Sequence, residues 1–238
     1  MKKIEELLSR FPKTRPDLSQ EHQEIYEKEY LLNREGQKPA EKISSYLEGW
    51  MHNKVARHSI YPSLELGAGT LNHLEFERNP VYYDIVEPFT NLYRHSERQS
   101  LVGKCYQTLS DIPKCKKYKR IFSIAVLEHM VDLPKELSLA CDLLDDDGVF
   151  LAGIPSEGGL LWHLGWRVST GLSYYIRNRL DYGELMRHEH VNTADEIITL
   201  IKLFFKDVSI TRFPLPFHHL SLYVFIEAKN PRVPRPSC

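Results

Sequence analysis

Two glycines separated by one residue, Gly67 and Gly69, lie in the stretch SLELGAGTLNHLEF, directly after an apolar run. Glycine permits tight turns and close approach of the backbone to a ligand, and a helix that begins after such a turn offers free N–H groups to negative charge. The stretch is therefore typical of a nucleotide-binding loop. Position 72 is Asn72 rather than the third glycine of a dinucleotide fingerprint, and the Gly-Lys-Ser/Thr of a P-loop is absent.

An acidic residue, Glu87, follows the next apolar run, VYYDIV. A carboxylate at a strand end can accept hydrogen bonds from both ribose hydroxyls, a geometry that sites for NAD and for S-adenosylmethionine (SAM) share. The alternative is a solvated glutamate in front of Pro88. The position of Glu87 at the end of a strand favours the ribose role.

Three histidines lie beside glutamates in patterns suited to proton transfer. His129 follows Glu128, and His188 and His190 flank Glu189. Histidine often serves as a general base because its pKa lies near neutral pH. We prefer His190, whereas His129 could equally cap a helix and the HEH group could be a solvated loop. Since no further ligand motif accompanies HEH, the sequence predicts no metal site.

The segment 156–192 is rich in aromatic and basic residues and contains several glycines. It interrupts the alternation of strand and helix patterns in the sequence on either side. Flat aromatic faces beside cationic groups could stack on a sugar or aromatic ring and hold a phosphate or carboxylate. An amphipathic helix packed on the core is the alternative, and it would explain the Leu and Trp residues better than the arginines. The candidate acceptor-side residues are Trp162, His163, Trp166, Arg167, Tyr174, Tyr175 and Arg177.

Predicted strands and helices alternate from residue 60 onward, and these elements must position the residues described above. The apolar runs SLEL, VYYDIV, KCYQTL, RIFSIAV and GVFLAGI are separated by helical patterns such as PFTNLYRHSERQ and DLPKELSLACDLL, and Gly148 marks the turn into the fifth strand. This alternation predicts βαβ units, a parallel sheet and helices on both faces. Thr193 and Glu196 have the spacing of a capping box. DVSITRF and LSLYVFIEA close the chain as an antiparallel pair.

The predicted organisation has a helical N-terminal segment at 1–57 and a sheet domain at 58–230. The segment 156–192 is an insertion in the sheet domain, and the proline-rich tail 231–238 is loose. Within YEKEYLLNR, we hypothesise that Tyr26, Tyr30 and Arg34 face the cleft and close over a cofactor.

The composition is that of an ordinary globular protein. The 238 residues are 42% hydrophobic and 26% charged, with a formal net charge of −1. This balance offers no electrostatic footprint for nucleic acid. There is neither a membrane-spanning apolar run nor an apolar signal region, so we expect a cytoplasmic protein. The four cysteines form no CxxC pair, which indicates reduced thiols. A homodimer is left open.

Taken in order, LELGAGT, IVEP and RIFSIAVLEHMVDLPKELSLACDLLDDDGVFLAGIP are similar to the motifs of class I SAM-dependent methyltransferases. The resemblance covers roughly residues 60–230. It implies an α/β fold with a doubly wound, mostly parallel seven-stranded sheet, an antiparallel C-terminal strand and helices on both faces. The chain departs from the family in KYKRIF, which lacks the usual Asp before the fourth strand, and at Leu71, where the family has a third glycine.

The resemblance implies SAM as the cofactor and S-adenosylhomocysteine (SAH) as its product. It would place Glu87 at the ribose and Asp111 with Ile112 around the adenine, although a turn cap is an equal alternative for Asp111. Ala125 and Val126 would lie behind the sulfonium. The residues implied at the methionine end are Glu65, Gly67, Ala68 and Gly69.

The resemblance also implies methyl transfer to a small-molecule acceptor. Within the family, the sequence pattern resembles that of small stand-alone bacterial methyltransferases, including those near surface-polysaccharide genes. This resemblance favours O-methylation of a sugar or nucleotide-sugar. The alternatives are N- or O-methylation of another small metabolite, an NAD-dependent oxidoreductase and a non-catalytic SAM-binding protein. Asn72 and VLEHM disfavour NAD.

Overall fold

A computed structural model of the protein describes residues 2–25, 41–77 and 83–232, with the backbone alone for 41–47. The hypothetical cap residues Tyr26, Tyr30 and Arg34 lie outside the described residues, as does most of the predicted tail. The N-terminal region contains helix α1 (Lys2–Leu8), a helical stretch at 20–25 and helix α2 (Glu41–Ala56). None of the described helices combines the length and apolar character needed to cross a membrane.

Within the described residues, seven strands form one sheet in the order β3-β2-β1-β4-β5-β7-β6. Strands β1 to β5 are parallel, and β7 runs antiparallel to both β5 and β6. The prediction of a mostly parallel seven-stranded sheet with an antiparallel C-terminal strand is confirmed. The strands are β1 (Ser63–Leu66), β2 (Tyr83–Val86), β3 (Val102–Tyr106), β4 (Tyr118–Ile124), β5 (Leu144–Pro155), β6 (Phe205–Pro214) and β7 (Ser221–Pro231).

Apolar side chains cover both faces of the sheet because successive residues of a strand point to opposite sides. Leu64 and Leu66 of β1 pack in the cluster that includes helices α3 (Leu133–Leu143) and α7 (Ala194–Phe204). Ile85 of β2 belongs to the cluster on the other face, with α2. The predicted capping box begins α7, with the Thr193 hydroxyl accepting from the Glu196 N–H.

The sequence prediction is wrong between β2 and β3. PFTNLYRHSERQ forms two 3₁₀ segments, Thr90–Leu92 and Glu97–Leu101, rather than one α-helix. Tyr93 is the buried hydrophobic side chain of this stretch. Phe89 of the same stretch is 51% exposed, so its apolar side chains are not buried together, and an α-helix here would lack the tertiary packing that stabilises most helices in proteins.

Gly148 also differs from its prediction, since it lies inside β5 rather than in a turn before it. The strand follows α3 directly, and the pairing of β4 with β5 shifts register between Tyr118 and Arg120. A Cβ at Gly148 would lie 2.9 Å from the Leu144 side chain and 3.0 Å from the Tyr118 carbonyl oxygen. The glycine is therefore needed for close packing at this irregularity of the sheet.

The predicted insertion is helical and lies at the carboxyl edge of the sheet, after β5. Helix α4 (Leu160–Trp166) continues through a π-helical segment, Arg167–Gly171, into α5 (Leu172–Asn178). Helix α6 (Tyr182–Glu189) follows and leads to α7.

Candidate functional site

The loop after β1 meets the end of β2 through the carboxylate of Glu87. This buried side chain accepts backbone hydrogen bonds of 2.9 Å from Gly69 and 2.9 Å from Phe89. A carboxylate oxygen has about two acceptor positions, so each oxygen keeps one for a further donor. No atom lies within 4 Å of the position that a Cβ of Gly69 would take. The loop therefore has an open backbone beside a fixed carboxylate, and the ribose and methionine roles of these residues stay predictions.

Gly67 brings the same loop against the end of β4. Its φ is +69°, and a Cβ there would lie 2.5 Å from a methyl carbon of Val126. Leu71, where the family has a third glycine, keeps the left-handed conformation with φ 66° and has a buried side chain. The contact with Val126 therefore requires glycine at position 67, and the positive φ favours it.

Glu65 lies on β1, just before the loop, and is buried. Its Oε2 accepts a 2.7 Å hydrogen bond from the Tyr83 hydroxyl. Burial raises the pKa of Glu65 to about 8, although the hydrogen bond from Tyr83 and the charge of Arg120 oppose the rise. The side chain is therefore mostly protonated at neutral pH, and its role at the methionine end stays a prediction.

The residues predicted around the adenine and the sulfonium lie along the same edge. Asp111 is exposed and accepts from the Thr108 N–H (2.8 Å) and hydroxyl (3.0 Å), which is the predicted turn cap. Ile112 is buried in the core. Ala125 has a φ of 54°, and its N–H donates to the Gly153 carbonyl oxygen. Contacts of these residues with adenine or sulfonium stay predictions.

His129 lies in the turn that follows β4 and is held by Glu189. Its Nδ1 is 2.9 Å from the Glu189 carbonyl oxygen, which only accepts, so Nδ1 carries the proton. Burial lowers the pKa of His129, but the hydrogen bond to Glu189 and the charge of Glu128 outweigh burial, and the net shift is upward. The Nε2 atom lies 3.9 Å from Glu128 Oε1.

His190 joins this turn from the end of α6. Its ring is perpendicular to that of His129, with centroids 4.8 Å apart. His190 Nδ1 lies 2.9 Å from Glu157 Oε2, which also accepts a 2.6 Å hydrogen bond from the Trp162 indole. The structure thus brings His190 beside His129 and joins His190 and Trp162 through Glu157.

His188 does not join the other two histidines. Its Nδ1 lies 2.7 Å from the carbonyl oxygen of Pro16, in the N-terminal segment. Arg15 of the same segment contacts Glu189 Oε2 at 3.3 Å and donates to the His129 carbonyl oxygen at 3.1 Å. The N-terminal segment therefore packs directly against the turn after β4 that contains His129.

The remaining acceptor-side candidates divide between a groove and the interior. Trp166, Arg167 and Tyr175 help to line a groove of about 370 Å³ along α4, α5 and the start of α6. Tyr174 is buried, with its ring 6.1 Å from that of His22 and 5.2 Å from that of Tyr182. Exposed candidates, besides those in the groove, are His163 and Arg177.

Three leucines of the insertion are not packed on the core. Leu160, Leu164 and Leu172 are 57%, 50% and 52% exposed. Core packing therefore does not explain these three leucines, whereas Trp162 does contact Tyr223 of β7, with ring centroids 5.7 Å apart. The exposure of the leucines leaves an apolar stripe along α4 and α5.

Glu128, Glu157 and Arg15 contact the predicted histidines, although no sequence pattern predicted a role for them. Glu157 comes two residues after β5, so an acidic residue at a strand end was the available signal. Glu128 stands beside His129 in the sequence and was within reach of the same pattern. Arg15 is separated from His129 by 114 positions, and no local pattern connects them.

No family model and no curated protein matches the chain. The plantazolicin methyltransferase BpumL, solved with SAH and a monoazolic desmethylPZN analog, matches with a TM-score of 0.58 and 12% identity over 96% of this chain and 98% of that one.

Two further solved structures match at similar levels. A SAM-dependent methyltransferase from Thermotoga maritima, named a possible histamine N-methyltransferase, has a TM-score of 0.53 and 14% identity over 80% of this chain and 96% of that one. The N-methyltransferase NodS from Bradyrhizobium japonicum WM9 has a TM-score of 0.51 and 13% identity, covering 78% and 97%. At such identities the likeness concerns the fold alone, and the chain has the fold of the class I SAM-dependent methyltransferases.

Proposed function

We propose that the protein is a SAM-dependent methyltransferase that acts on a small molecule. The observation that carries this proposal is the carboxylate of Glu87, held by Gly69 beside an open loop at the carboxyl edge of the sheet. Dinucleotide-binding sheets have the order 3-2-1-4-5-6. The antiparallel β7 between β5 and β6 therefore favours SAM over NAD.

The proposed binding roles follow the edge of the sheet. Glu87 accepts hydrogen bonds from the ribose hydroxyls, and the backbone from Gly67 to Gly69 lies along the methionine part. Ala125 and Val126 lie behind the sulfonium, and Asp111 with Ile112 borders the adenine. When bound, SAM supplies an electrophilic methyl group. The protein holds the acceptor in line with it, an effect that can lower the barrier by about 7–11 kcal/mol.

A hydroxyl acceptor also needs a base, which contributes roughly 10²–10⁴-fold to the rate. His190 and His129 are the proposed candidates because each uses Nδ1 for a contact with a glutamate, which leaves Nε2 to take a proton. His188 is a weaker candidate, since its Nδ1 contacts Pro16 away from the other two.

For the acceptor, we propose a sugar or nucleotide-sugar oxygen. Trp162 beside His190 offers an aromatic face, and Trp166 with Arg167 offers an aromatic and cationic pair in the groove. N-methylation of another small metabolite is the second candidate. It is supported by two proteins of similar fold, the possible histamine N-methyltransferase from Thermotoga maritima and the N-methyltransferase NodS. A cytoplasmic location is part of the proposal, and a homodimer is left open.

Calorimetric titration with SAM, SAH and NAD tests the cofactor. We expect SAM and SAH to bind with a one-to-one stoichiometry and NAD not to bind. Binding of NAD without SAM would overturn the proposal. A screen for SAH release with sugars, nucleotide-sugars and amines then tests turnover, and SAM binding without turnover on any acceptor would indicate a non-catalytic SAM-binding protein.

A further inference from the structure

We propose that Glu128, His129 and His190 bind a divalent transition-metal ion at the acceptor end of the site. One ligand atom from each residue lies within 4.8 Å of the others. Glu128 and His129 come from the turn after β4, and His190 comes from the end of α6. The proposal revises the sequence prediction of no metal site at HEH, because the missing ligands lie some 60 positions earlier.

The hydrogen bonds of both rings prepare Nε2 for a metal. His129 Nδ1 donates to the Glu189 carbonyl oxygen, and His190 Nδ1 pairs with the carboxylate of Glu157, each at 2.9 Å. Histidines that bind metals almost always use their other ring nitrogen for such a contact with a carboxylate or carbonyl. These contacts at Nδ1 therefore leave Nε2 of each ring available for a metal.

Glu128 supplies an independent observation. Its side chain is almost fully buried, with 1% of the residue exposed, and among the described residues no atom forms a hydrogen bond with its Oε2. Leaving a buried carboxylate oxygen without a partner is unfavourable. A cation between Glu128 and the two Nε2 atoms would supply the missing partner.

The backbone around the cluster is held firmly. The N–H groups of Val191 and Asn192 donate to the Glu128 carbonyl oxygen at 2.9 and 3.0 Å. The Asn192 amide donates to the carbonyl oxygens of Leu127 and Met130. These bonds tie the segment after α6 to the turn after β4, so the three ligands come together from elements that are fixed to each other.

The charges around the cluster also favour a cation. Glu128, Glu157 and Glu189 bring three carboxyl groups, and Arg15 brings one guanidinium to Glu189. Arg15 thereby occupies Glu189 and leaves Glu128 as the carboxylate available for a metal.

The ligand set indicates the class of metal. Imidazole suits Zn, Fe, Ni and Cu, and two histidines with one carboxylate bind zinc or iron(II) while leaving positions open. Those positions are available to water or to an acceptor oxygen, whose pKa a metal lowers. With a metal bound, the Nε2 atoms of His129 and His190 are occupied, so the metal would activate the acceptor hydroxyl in place of a histidine base. That part in catalysis rests on the proposed function, whereas the binding site itself does not.

The test uses the full-length protein, stripped with a chelator and titrated with ZnCl₂ by calorimetry and with CoCl₂ by visible absorption. We expect one ion per chain and a cobalt spectrum that reports nitrogen and oxygen ligands. His190→Gln, His129→Gln and Glu128→Gln should each weaken binding at least about 100-fold, and Glu157→Gln about 10- to 100-fold. His219→Gln, an exposed histidine elsewhere, is the matched control and should bind as the wild type does.

Thermal melts show whether each variant is folded, and Glu128→Asp, which keeps the charge, provides a second variant at that position. Equal zinc affinity of the wild type and His190→Gln, or the lack of stoichiometric binding, would overturn the metal site. SAM titrations on the same samples separate the two proposals. SAM binding without zinc binding overturns only the metal site, and zinc binding without SAM binding overturns only the proposed function.

Discussion

The backbone N–H of Gly69 donates a 2.9 Å hydrogen bond to Oε2 of Glu87. This bond joins the loop after β1 to the end of β2, the neighbouring strand in the sheet. The carboxylate is therefore oriented before any ligand arrives, which reduces the conformational entropy lost on binding.

Replacing Glu87 with alanine should weaken SAM binding by about 10- to 100-fold. A hydrogen bond to a charged group contributes about 1.5–3 kcal/mol, and the Gly69 and Phe89 N–H groups also lose their acceptor. Calorimetry with SAM and SAH measures the change. Glu97→Ala removes an exposed carboxylate from the segment between β2 and β3 and should leave the affinity unchanged. Equal affinities of the two variants would contradict the ribose role.

Gly67→Ala should destabilise the protein by about 2–5 kcal/mol. The left-handed conformation costs about 1–2 kcal/mol, and overpacking against Val126 adds about 1–3 kcal/mol. Gly69→Ala should lose only about 1–2 kcal/mol, the cost of the left-handed conformation. It has no overpacking cost, because no atom lies within 4 Å of its Cβ position. Urea unfolding compares the two variants.

The same contact predicts a specific rescue. Adding Val126→Ala to Gly67→Ala removes the clashing methyl groups, so the double variant should be more stable than the sum of the two single effects. Simple additivity would show that the contact with Val126 is not the source of the destabilisation.

Glu65→Gln should change how stability depends on pH. The pKa of Glu65 is raised from 4.5 to about 8 in the folded state, so the folded protein keeps a proton that the unfolded chain loses. The stability of the wild type should therefore fall as the pH rises through this window. Glutamine keeps an acceptor for the Tyr83 hydroxyl without ionising, so the variant should lose this slope and exceed the wild type in stability near pH 8. Urea midpoints across the window measure the slope, and parallel profiles would refute the prediction.

Glu77→Gln should destabilise the protein by about 3–5 kcal/mol, because it leaves the buried charge of Arg120 without its carboxylate partner. Arg120 is fully buried and donates to Glu77 at 2.7 Å, near the amino ends of β1 and β4. Glu75→Gln, which breaks an exposed pair with Arg98, should change stability by less than about 1 kcal/mol. Denaturant unfolding of both variants checks the contrast, and similar losses would count against the buried pair.

The same pair predicts an acid transition. Burial alone would raise the pKa of Glu77, but the hydrogen bond with His73 and the charge of Arg120 lower it to about 2. The stabilisation is present above about pH 4.5 and is lost as the pH falls towards 2. The acid branch of the stability profile should be flatter in Glu77→Gln than in the wild type.

The order of elements and the nucleotide loop were predictable from the sequence, because they depend on local patterns. SLEL matches β1 residue for residue, and the spacing of Thr193 and Glu196 predicted the start of α7. Gly67 and Gly69 indicated the loop, since a backbone with positive φ favours glycine wherever it occurs. The antiparallel pair that closes the chain was also predicted from the sequence pattern, and the family resemblance agreed with it.

Only the tertiary structure determined which side chains meet and what charge they carry. It brought His190 to His129, made Glu157 and Arg15 their neighbours, and separated His188 from them. It also buried Glu65, and this burial raises the pKa so that the carboxyl group is mostly protonated at neutral pH. A glutamate in a sequence is ordinarily counted as charged at that pH. Contacts and desolvation depend on residues that are distant in the chain, and local spacing carries no information about either.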